Sequence, residues 1–175
     1  MPFTFLVGGA RSGKSTLSVR LGAAFDGPVV VIVTAEPRDG EMAERIRWHR
    51  EQRPAEWTTV EAPTGIADAI RAAPAEAFVV LDCLTLWVSN AIEAGLGDDG
   101  VVAEARTAVA ALAERAAPGV VVSNEVGMGI VPVNDLARRY RDTLGRVNAV
   151  FAERAERALL VVAGRVIALE ELTSA

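Results

Sequence analysis

The sequence predicts an α/β protein in which helices cover both faces of a mainly parallel sheet. Runs rich in Val, Ile and Leu alternate along the chain with segments that repeat apolar residues at helical spacing. The runs at 28–35 and 77–83 are apolar almost throughout, as expected of strands buried on both faces. In residues 3–24 an apolar run, a glycine-bearing turn and a helical pattern follow one another, which is typical of the first unit of a parallel sheet.

Each predicted element rests on its own local pattern. β-Branched and apolar runs predict strands at 3–7, 28–35, 57–61, 77–83, 119–123 and 158–163, with 165–169 hairpinned to the last across Gly164. Helical periodicity predicts helices at 16–24, 41–52, 64–73, 85–93, 101–116 and 134–157, the last with a break near Gly145. The glycine-rich stretch 95–100 is expected to be the most flexible internal loop. Because no repeat interrupts the alternation, residues 1–175 are expected to form a single domain.

Charge and composition argue against several classes of protein. A net charge of -5 argues against a nucleic-acid binder, which needs a basic surface to meet phosphates. The chain has no apolar run of about 18 residues and no export signal at its amino terminus, so membrane insertion is not expected. The single cysteine, Cys83, excludes an internal disulfide and fits a reducing cytoplasm, where we expect the protein to be located.

The turn after the first strand carries the strongest chemical signal. Residues 8–15 (GGARSGKS) fit the pattern G-x-x-x-x-G-K-[ST], between an apolar run and a helical segment. Gly8 and Gly13 allow the backbone N–H groups to turn inward on phosphates at the positive end of a helix. Lys14 would reach the β- and γ-phosphates, and the Ser15 hydroxyl would hold Mg²⁺. Lys14 is also the only lysine in a chain that uses arginine for every other basic side chain.

Asp82 is the candidate second ligand for Mg²⁺. It ends a run of four apolar residues at 78–81, which is where a protein with such a phosphate loop places a metal-binding carboxylate. Ser15 and Asp82 together would make a magnesium pair. The alternative is that Asp82 only caps the end of its strand.

His49, the only histidine, allows two interpretations. It lies on one stripe of a predicted helix with Met42 and Ile46, which favours a packing or surface role. Four arginines close to it in sequence favour chemistry, because guanidiniums depress the pKa of an imidazole and attract phosphates. A neutral imidazole can attack phosphorus and form a covalent phosphoramidate. The arginines could equally form a solvated face paired with nearby glutamates; they are Arg45, Arg47, Arg50 and Arg53.

Other polar residues are weaker candidates. Glu61 and Glu125 each follow a short strand-like run and could point into the crevice at the carboxyl ends of the strands. Either could equally be a surface acid. Four arginines of the last long helix could supply anion contacts, although periodicity favours surface positions for most of them; they are Arg138, Arg139, Arg141 and Arg146. The tryptophans are expected to pack and not to stack on bases; they are Trp48, Trp57 and Trp87.

Taken in order, six segments resemble the bifunctional adenosylcobinamide kinase and adenosylcobinamide-phosphate guanylyltransferase family of cobalamin synthesis. The phosphate loop alone is generic, whereas SNEVGMGIVP followed by LARRYRDTLGRVN is highly specific to this family. The resemblance covers almost the whole chain. The segments are 8–15 (GGARSGKS), 39–54 (DGEMAERIRWHREQRP), 57–61 (WTTVE), 82–90 (DCLTLWVSN), 123–132 (SNEVGMGIVP) and 136–148 (LARRYRDTLGRVN).

The resemblance implies a RecA-like P-loop NTPase fold, phosphorylation of the adenosylcobinamide hydroxyl by ATP or GTP with Mg²⁺, and then transfer of GMP from GTP. It assigns His49 as the histidine that becomes guanylylated, with Lys14 as the other catalytic residue. It also implies a cytoplasmic protein, a corrinoid substrate and a homo-oligomer, often a trimer. The positions that match nucleotide contacts are Gly8, Gly9, Ala10, Arg11, Ser12, Gly13, Lys14, Ser15, Thr34, Ala35, Glu36, Arg50, Glu51, Gln52, Arg53, Glu61 and Asp82.

Two other functions fit the same motifs. The first is a small-molecule kinase with a phosphate loop and no histidine intermediate. The second is a nucleotide-driven switch that binds a partner protein instead of a small acceptor. Formation of a nucleotide adduct on His49 would exclude the first, and turnover that depends on added corrinoid would exclude the second.

Overall fold

The computed structural model describes residues 3–171, which form seven strands and six helices. Strands and helices alternate along most of the chain, as the sequence predicts. In chain order the elements are β1 (Phe3–Val7), α1 (Lys14–Ala23), β2 (Val29–Val33), α2 (Gly40–Glu51), β3 (Thr58–Glu61), α3 (Ile66–Ala72), β4 (Phe78–Asp82), α4 (Leu84–Glu93), α5 (Asp98–Ala113), β5 (Gly119–Val122), α6 (Asp135–Arg154), β6 (Arg157–Val162) and β7 (Arg165–Ala168).

All seven strands belong to one sheet, in the order β3-β2-β4-β5-β1-β6-β7. Every neighbouring pair is parallel except β6 and β7, which form an antiparallel hairpin at one edge. The loop that follows β1 therefore lies at the same edge of the sheet as the ends of β2, β4 and β5. In an open α/β sheet this carboxyl edge is where ligands bind.

Helices cover the two faces of the sheet unequally. The larger apolar cluster joins one face to α3, α4, α5 and α6, and includes the fully buried Trp87, Phe5 and Phe151. The smaller cluster, on the other face, is covered by Leu17 and Leu21 of α1. Helix α2 contributes no buried residue to either cluster. The mainly parallel, helix-covered sheet predicted from the sequence is confirmed.

Two predictions about glycines are wrong in detail. Helix α6 runs without a break through Gly145, because the neighbouring Leu144 and Val147 are fully buried and hold that turn against the core. The stretch 95–100 is not a loop throughout: α5 begins at Asp98, and two aspartates in its first turn favour the positive end of the helix. In both places packing and charge outweigh the weak helix propensity of glycine.

Candidate functional site

The phosphate loop joins β1 to α1 and is held from two sides. A Cβ on Gly8 would lie 2.2 Å from the carbonyl oxygen of Val161, so only glycine fits there. Gly13 has a φ of 106°, in the left-handed region that favours glycine, and it is the N-cap residue of α1. The backbone N–H of Gly164 donates to the carbonyl of Ser12 at 2.8 Å and ties the loop to the β6–β7 hairpin. The loop is therefore preformed.

Lys14 is buried in the centre of this loop. Its Nζ donates to the carbonyl oxygens of Gly8 at 2.9 Å and Gly9 at 2.7 Å, and makes a longer bond of 3.4 Å to Ser12 Oγ. Burial lowers the pKa of Lys14, while the nearby carboxylate of Asp82 opposes that effect. The ammonium is thus held at the loop by neutral dipoles alone, which an anionic phosphate would replace with a stronger partner.

Asp82 ends β4 and faces the same edge of the sheet. Its carboxylate forms an ion pair with Arg53, at 2.8 Å between Oδ2 and Nη2, and both side chains are mostly buried. Ser15 lies in the first turn of α1 and is half-buried. Within residues 3–171 no three acidic, histidine or cysteine side chains cluster as a metal site. A hydroxyl and a carboxylate nevertheless fit Mg²⁺, which usually takes one or two protein oxygens and completes its shell with phosphates and water.

Thr34 connects the end of β2 to the end of β4. Its hydroxyl donates to the carbonyl of Cys83 at 2.7 Å and accepts from the N–H of the same residue at 3.0 Å. The backbone N–H of Thr34 donates to the carbonyl of Asp82, and its own carbonyl accepts from Asn90 Nδ2 at 2.8 Å. The peptide bond between Asp82 and Cys83 is cis. These contacts fix the backbone that presents the Asp82 carboxylate.

His49 lies near the end of α2, and its side chain is half-buried. Asp39 is the N-cap residue of this helix, and its carboxylate accepts from the N–H of Met42 at 2.7 Å. Met42, Ile46 and His49 are half-buried on the stripe that the sequence predicts, while the opposite side of α2 is exposed. His49 is therefore neither packed inside the core nor fully in solvent.

The pKa of His49 is lowered, as the sequence predicts, but the main cause is burial and not the neighbouring arginines. Burial is the largest effect and lowers the pKa of His49; Arg53 and Arg45 lower it further, and Asp82 opposes them. Arg47 and Arg50, which are as close to His49 in sequence, are not among these causes. Because Asp82 acts on both His49 and Lys14, the three side chains share one region of the carboxyl edge.

A polar network behind the phosphate loop includes residues that the residue-by-residue argument missed. Ser123 Oγ at the end of β5 donates to Asn148 Oδ1 at 2.6 Å, and Asn148 Nδ2 donates to the carbonyl of Asn124 at 3.0 Å. The N–H of Asn124 donates to Thr85 Oγ1, and the hydroxyl of Tyr140 donates to the carbonyl of Thr85. All five lie in segments that carry the family resemblance, and that was their only signal in the sequence.

This network fixes the start of a loop, residues 123–134, which touches the phosphate loop. The backbone N–H of Glu125 donates to the carbonyl of Gly8 at 3.1 Å, the same oxygen that accepts from Lys14. The Glu125 carboxylate instead accepts from the N–H of Gly127, so it is engaged within its own loop. Glu125 therefore supports the site through its backbone.

Several predicted nucleotide contacts are exposed or are engaged in other ion pairs. Glu36 pairs with Arg38, which also pairs with Glu93 and donates to Asn90. Glu61 ends the edge strand β3 with an exposed side chain, although it lies opposite Val33 at the carboxyl edge. The other exposed candidates are Gly9, Ala10, Arg11, Arg50, Glu51 and Gln52.

The arginines of α6 are paired with acids and do not form an anion site. Each contacts an aspartate of α5 or α6; the pairs are Arg138–Asp135, Arg139–Asp98, Arg141–Asp142 and Arg146–Asp99. Of the tryptophans, Trp87 is fully buried in the core, but Trp48 is 56% exposed on α2, so a packing role is wrong for Trp48. The ring of Trp48 meets that of His49 edge-on, with 5.0 Å between centroids.

The parallel sheet and the preformed phosphate loop define an α/β P-loop protein that binds nucleotides. The comparisons with known proteins refine this class. The family model "Cobinamide kinase / cobinamide phosphate guanyltransferase" matches residues 4–169. The chain belongs to this family.

Curated relatives agree over nearly the full length. The chain is 43% identical to the bifunctional adenosylcobalamin biosynthesis protein CobP of Pseudomonas aeruginosa, over 91% of this chain and 92% of that protein. It is 40% identical to the bifunctional adenosylcobalamin biosynthesis protein CobU of Salmonella typhimurium, over 91% of this chain and 94% of that protein. The CobU protein of Escherichia coli is also 40% identical, with the same coverage.

Solved structures show the fold. An ATPase from the type III secretion system of pathogenic bacteria superposes with a TM-score of 0.58 at 10% identity; the match covers 91% of this chain but only 51% of that chain. The protein PH0250 of Pyrococcus horikoshii superposes with a TM-score of 0.55 at 8% identity, over 95% of this chain and 85% of that one. Within residues 3–171, none of the helices has the length and apolar character needed to cross a bilayer.

Proposed function

We propose that this chain phosphorylates the hydroxyl of adenosylcobinamide with ATP or GTP and then transfers GMP from GTP onto the new phosphate, through a guanylylated His49. The observation that carries the proposal is that the phosphate-loop lysine and a half-buried, pKa-lowered histidine share one edge of the sheet around Asp82. Membership of the kinase and guanyltransferase family supports both halves of the reaction. We propose that residues 1–175 act as a single domain.

In the kinase step, the acceptor alcohol attacks the γ-phosphorus and the nucleoside diphosphate leaves. Lys14 would release its carbonyl partners and bind the β- and γ-phosphates, where its positive charge offsets the charge that develops in the transition state. Ser15 and Asp82 are the protein ligands that we propose for Mg²⁺, which when bound would further neutralise the phosphate charge. Arg53, which pairs with Asp82, would then be free to bind a phosphate oxygen.

In the transferase step, a nitrogen of neutral His49 attacks the α-phosphorus of GTP. The N–P bond forms, the bond to the bridging oxygen breaks, and pyrophosphate leaves with the electron pair. An oxygen of the cobinamide phosphate then attacks the same phosphorus, the N–P bond breaks, and the imidazole is regenerated. Because its pKa is lowered, His49 is neutral at physiological pH with its lone pair available.

The remaining site residues are proposed as nucleotide contacts. The backbone N–H groups of the phosphate loop would bind phosphate oxygens, and the ends of β2 and β3 and the end of α2 would contact the guanosine. Beyond the loop these residues are Thr34, Ala35, Glu36, Arg50, Glu51, Gln52, Arg53, Glu61 and Asp82. A cytoplasmic location is part of the same proposal and follows from the family resemblance.

A labelling experiment tests the transferase half. After incubation with α-labelled GTP, the parent protein should carry an acid-labile label. His49→Ala should lose this label and at least about 1,000-fold of the guanylyl transfer, the scale seen when a nucleophile is removed. It should keep most of its kinase activity, because Lys14 does not depend on the imidazole.

Arg47→Ala is the matched control. Arg47 lies on the same helix, is largely exposed and does not affect the pKa of His49, so this variant should be labelled like the parent. Equal labelling of His49→Ala and the parent would overturn the role of His49. A kinase with no histidine intermediate would then remain.

A further inference from the structure

A groove of about 640 Å³ opens beside the phosphate loop, on the side away from β4. It runs between α1 and the β6–β7 hairpin, and its walls include Gly13, Thr16, Leu17, Leu21, Val161 and Val166. None of the nucleotide contacts proposed above apart from Gly13 lies in it. The groove is a second candidate binding surface at the same loop.

The groove is continuous with the phosphate cradle. Gly13 belongs to both, and Thr16 follows Ser15 in the first turn of α1, where the helix N-terminus favours anions. The far wall is fixed to the loop, because the hydrogen bond of 2.8 Å between Gly164 and Ser12 joins the hairpin turn to the cradle. A triphosphate held by Lys14 at its outer end could therefore leave the loop past Thr16 and enter the groove.

The chemistry of the groove suits a nucleoside. Leu17 and Leu21 are partly buried against the smaller apolar cluster and leave apolar surface in the groove on which a base could lie. Two cations, Arg20 and Arg165, also line the groove, and neither forms an ion pair with any residue in the part of the chain described, 3–171. A guanidinium can stack on a base or bind the α-phosphate. The volume lies within the range of small-molecule sites.

The proposed reaction attacks the triphosphate at two different phosphorus atoms. The alcohol attacks the γ-phosphorus, whereas His49 attacks the α-phosphorus, and these atoms lie at opposite ends of the triphosphate. A triphosphate whose α-phosphorus meets His49, near β4, would extend its nucleoside toward the β2 and β3 side of the loop. It would leave the groove on the other side of β1 unoccupied.

We propose that the groove between α1 and the β6–β7 hairpin binds the nucleoside of the phosphoryl donor during the kinase step, while the GTP that guanylylates His49 places its nucleoside on the opposite side. The inference rests on the proposed function. It assigns the purine to the apolar wall and the α-phosphate to Thr16 and the two arginines. The two half-reactions would then use different nucleoside sites at a shared phosphate loop.

Val166→Glu tests this assignment, and Ile167→Glu is its matched control. The two residues are neighbours on β7, 50% and 56% exposed, but only Val166 lines the groove. A carboxylate at 166 would face the base and the α-phosphate, so the Kd for ATP should rise at least about tenfold. Ile167→Glu should bind ATP like the parent.

Inorganic tripolyphosphate has phosphates but no nucleoside, so its binding distinguishes the contribution of the phosphates to affinity from that of the nucleoside. Val166→Glu should bind tripolyphosphate with the affinity of the parent, and it should form the His49 adduct from α-labelled GTP at the parent's rate. Its KM for ATP in the kinase assay should rise in step with Kd. Equal ATP affinity in the two variants, or an equal loss for tripolyphosphate, would overturn the proposal.

The two proposals can fail separately. ATP and tripolyphosphate binding need no corrinoid and no adduct, so they test the groove even if guanylylation of His49 is refuted. Photolabelling with 8-azido-ATP adds an independent measurement. Label in α1 or in residues 157–168 supports the groove, whereas label confined to residues 29–61 contradicts it and leaves the proposed function in place.

Discussion

At the scale of single residues, the phosphate-loop lysine is held in a state that a bound nucleotide would change. Its ammonium is buried and contacts only neutral oxygens, two of them backbone carbonyls, so its pKa lies below that of a solvated lysine. Phosphates would bring several negative charges within contact distance. The protonated form would then be favoured more strongly, and the pKa of Lys14 should rise.

Because Lys14 is the only lysine, this shift can be measured directly. Protein labelled with ¹³C at lysine Cε should give one lysine signal, whose titration midpoint lies below the pKa of about 10.4 that is usual for lysine. Adding ATP and Mg²⁺ should move the midpoint upward. A midpoint that does not change when the nucleotide is added would argue against contact between Lys14 and phosphate. The Lys14→Arg variant, which should lack the signal, is the control for its assignment.

The roles of some individual site residues were predictable from the sequence, and those of others were not. The glycine, lysine and serine of the phosphate loop were predictable because backbone freedom, charge and spacing are local properties. The chemical role of His49 was not decided by pattern, since its stripe with Met42 and Ile46 fits packing equally well. The ion pair between Arg53 and Asp82 was not predicted either, because it joins residues 29 positions apart.

At the scale of elements, α2 differs from the other long helices. It carries the proposed nucleophile, yet no residue of α2 is buried, whereas α5 buries seven. A helix with few buried apolar contacts opens locally at low free energy. Weak docking would allow α2 to adjust its position when His49 meets an α-phosphorus.

Hydrogen exchange tests this expectation. Backbone amides of α2 should exchange at least about tenfold faster than those of α5 in the nucleotide-free protein. Guanylylation of His49 should slow exchange in α2, because the bound nucleotide adds contacts that the free helix lacks. Equal protection of the two helices before any nucleotide is added would contradict the weak docking of α2.

The ends of some strands and helices were predictable from the sequence, and others were not. Strand runs such as β2 and β4 were predicted to within two residues, because continuous apolar sequence specifies a strand buried on both faces. The glycines at 100 and 145 misled the prediction, since the core contacts that stabilise those helix turns come from distant residues. Tertiary packing outweighed local propensity at both positions.

At the scale of the whole molecule, one exposed segment is strongly apolar. Six apolar side chains in and after the loop 123–134 are exposed: Val126, Met128, Ile130, Val131, Val133 and Leu136. Contiguous exposed apolar surface marks interaction sites. We propose that this segment lies in the interface of the homo-oligomer, which is the trimer that the family resemblance implies.

Sedimentation tests the assembly. The parent should sediment as a multiple of its 18.5 kDa mass, and Ile130→Asp should shift the protein to monomers, because an unpaired carboxylate in an apolar interface is strongly unfavourable. Ile167→Asp, at an exposed position on the edge strand β7, should leave the oligomer intact. Dissociation by Ile167→Asp alone would place the interface elsewhere, and a monomeric parent would refute the oligomer.

The architecture as a whole was largely predictable, but the connections between its parts were not. Alternation of strands and helices indicated the parallel sheet, and the final hairpin followed from apolar runs around Gly164. The hydrogen bonds between Asn148 and the end of β5, and between Glu125 and Gly8, depend on strand order. No pattern within one segment specifies that order.

The solitary lysine has a practical consequence for handling the protein. Reagents that couple through primary amines, such as biosensor immobilisation chemistries, fixatives and bifunctional crosslinkers, have one side chain to attack, at the centre of the phosphate loop. Conjugation that succeeds at this side chain would abolish the kinase. Attachment through an appended tag is therefore the safer way to present this enzyme to its substrates.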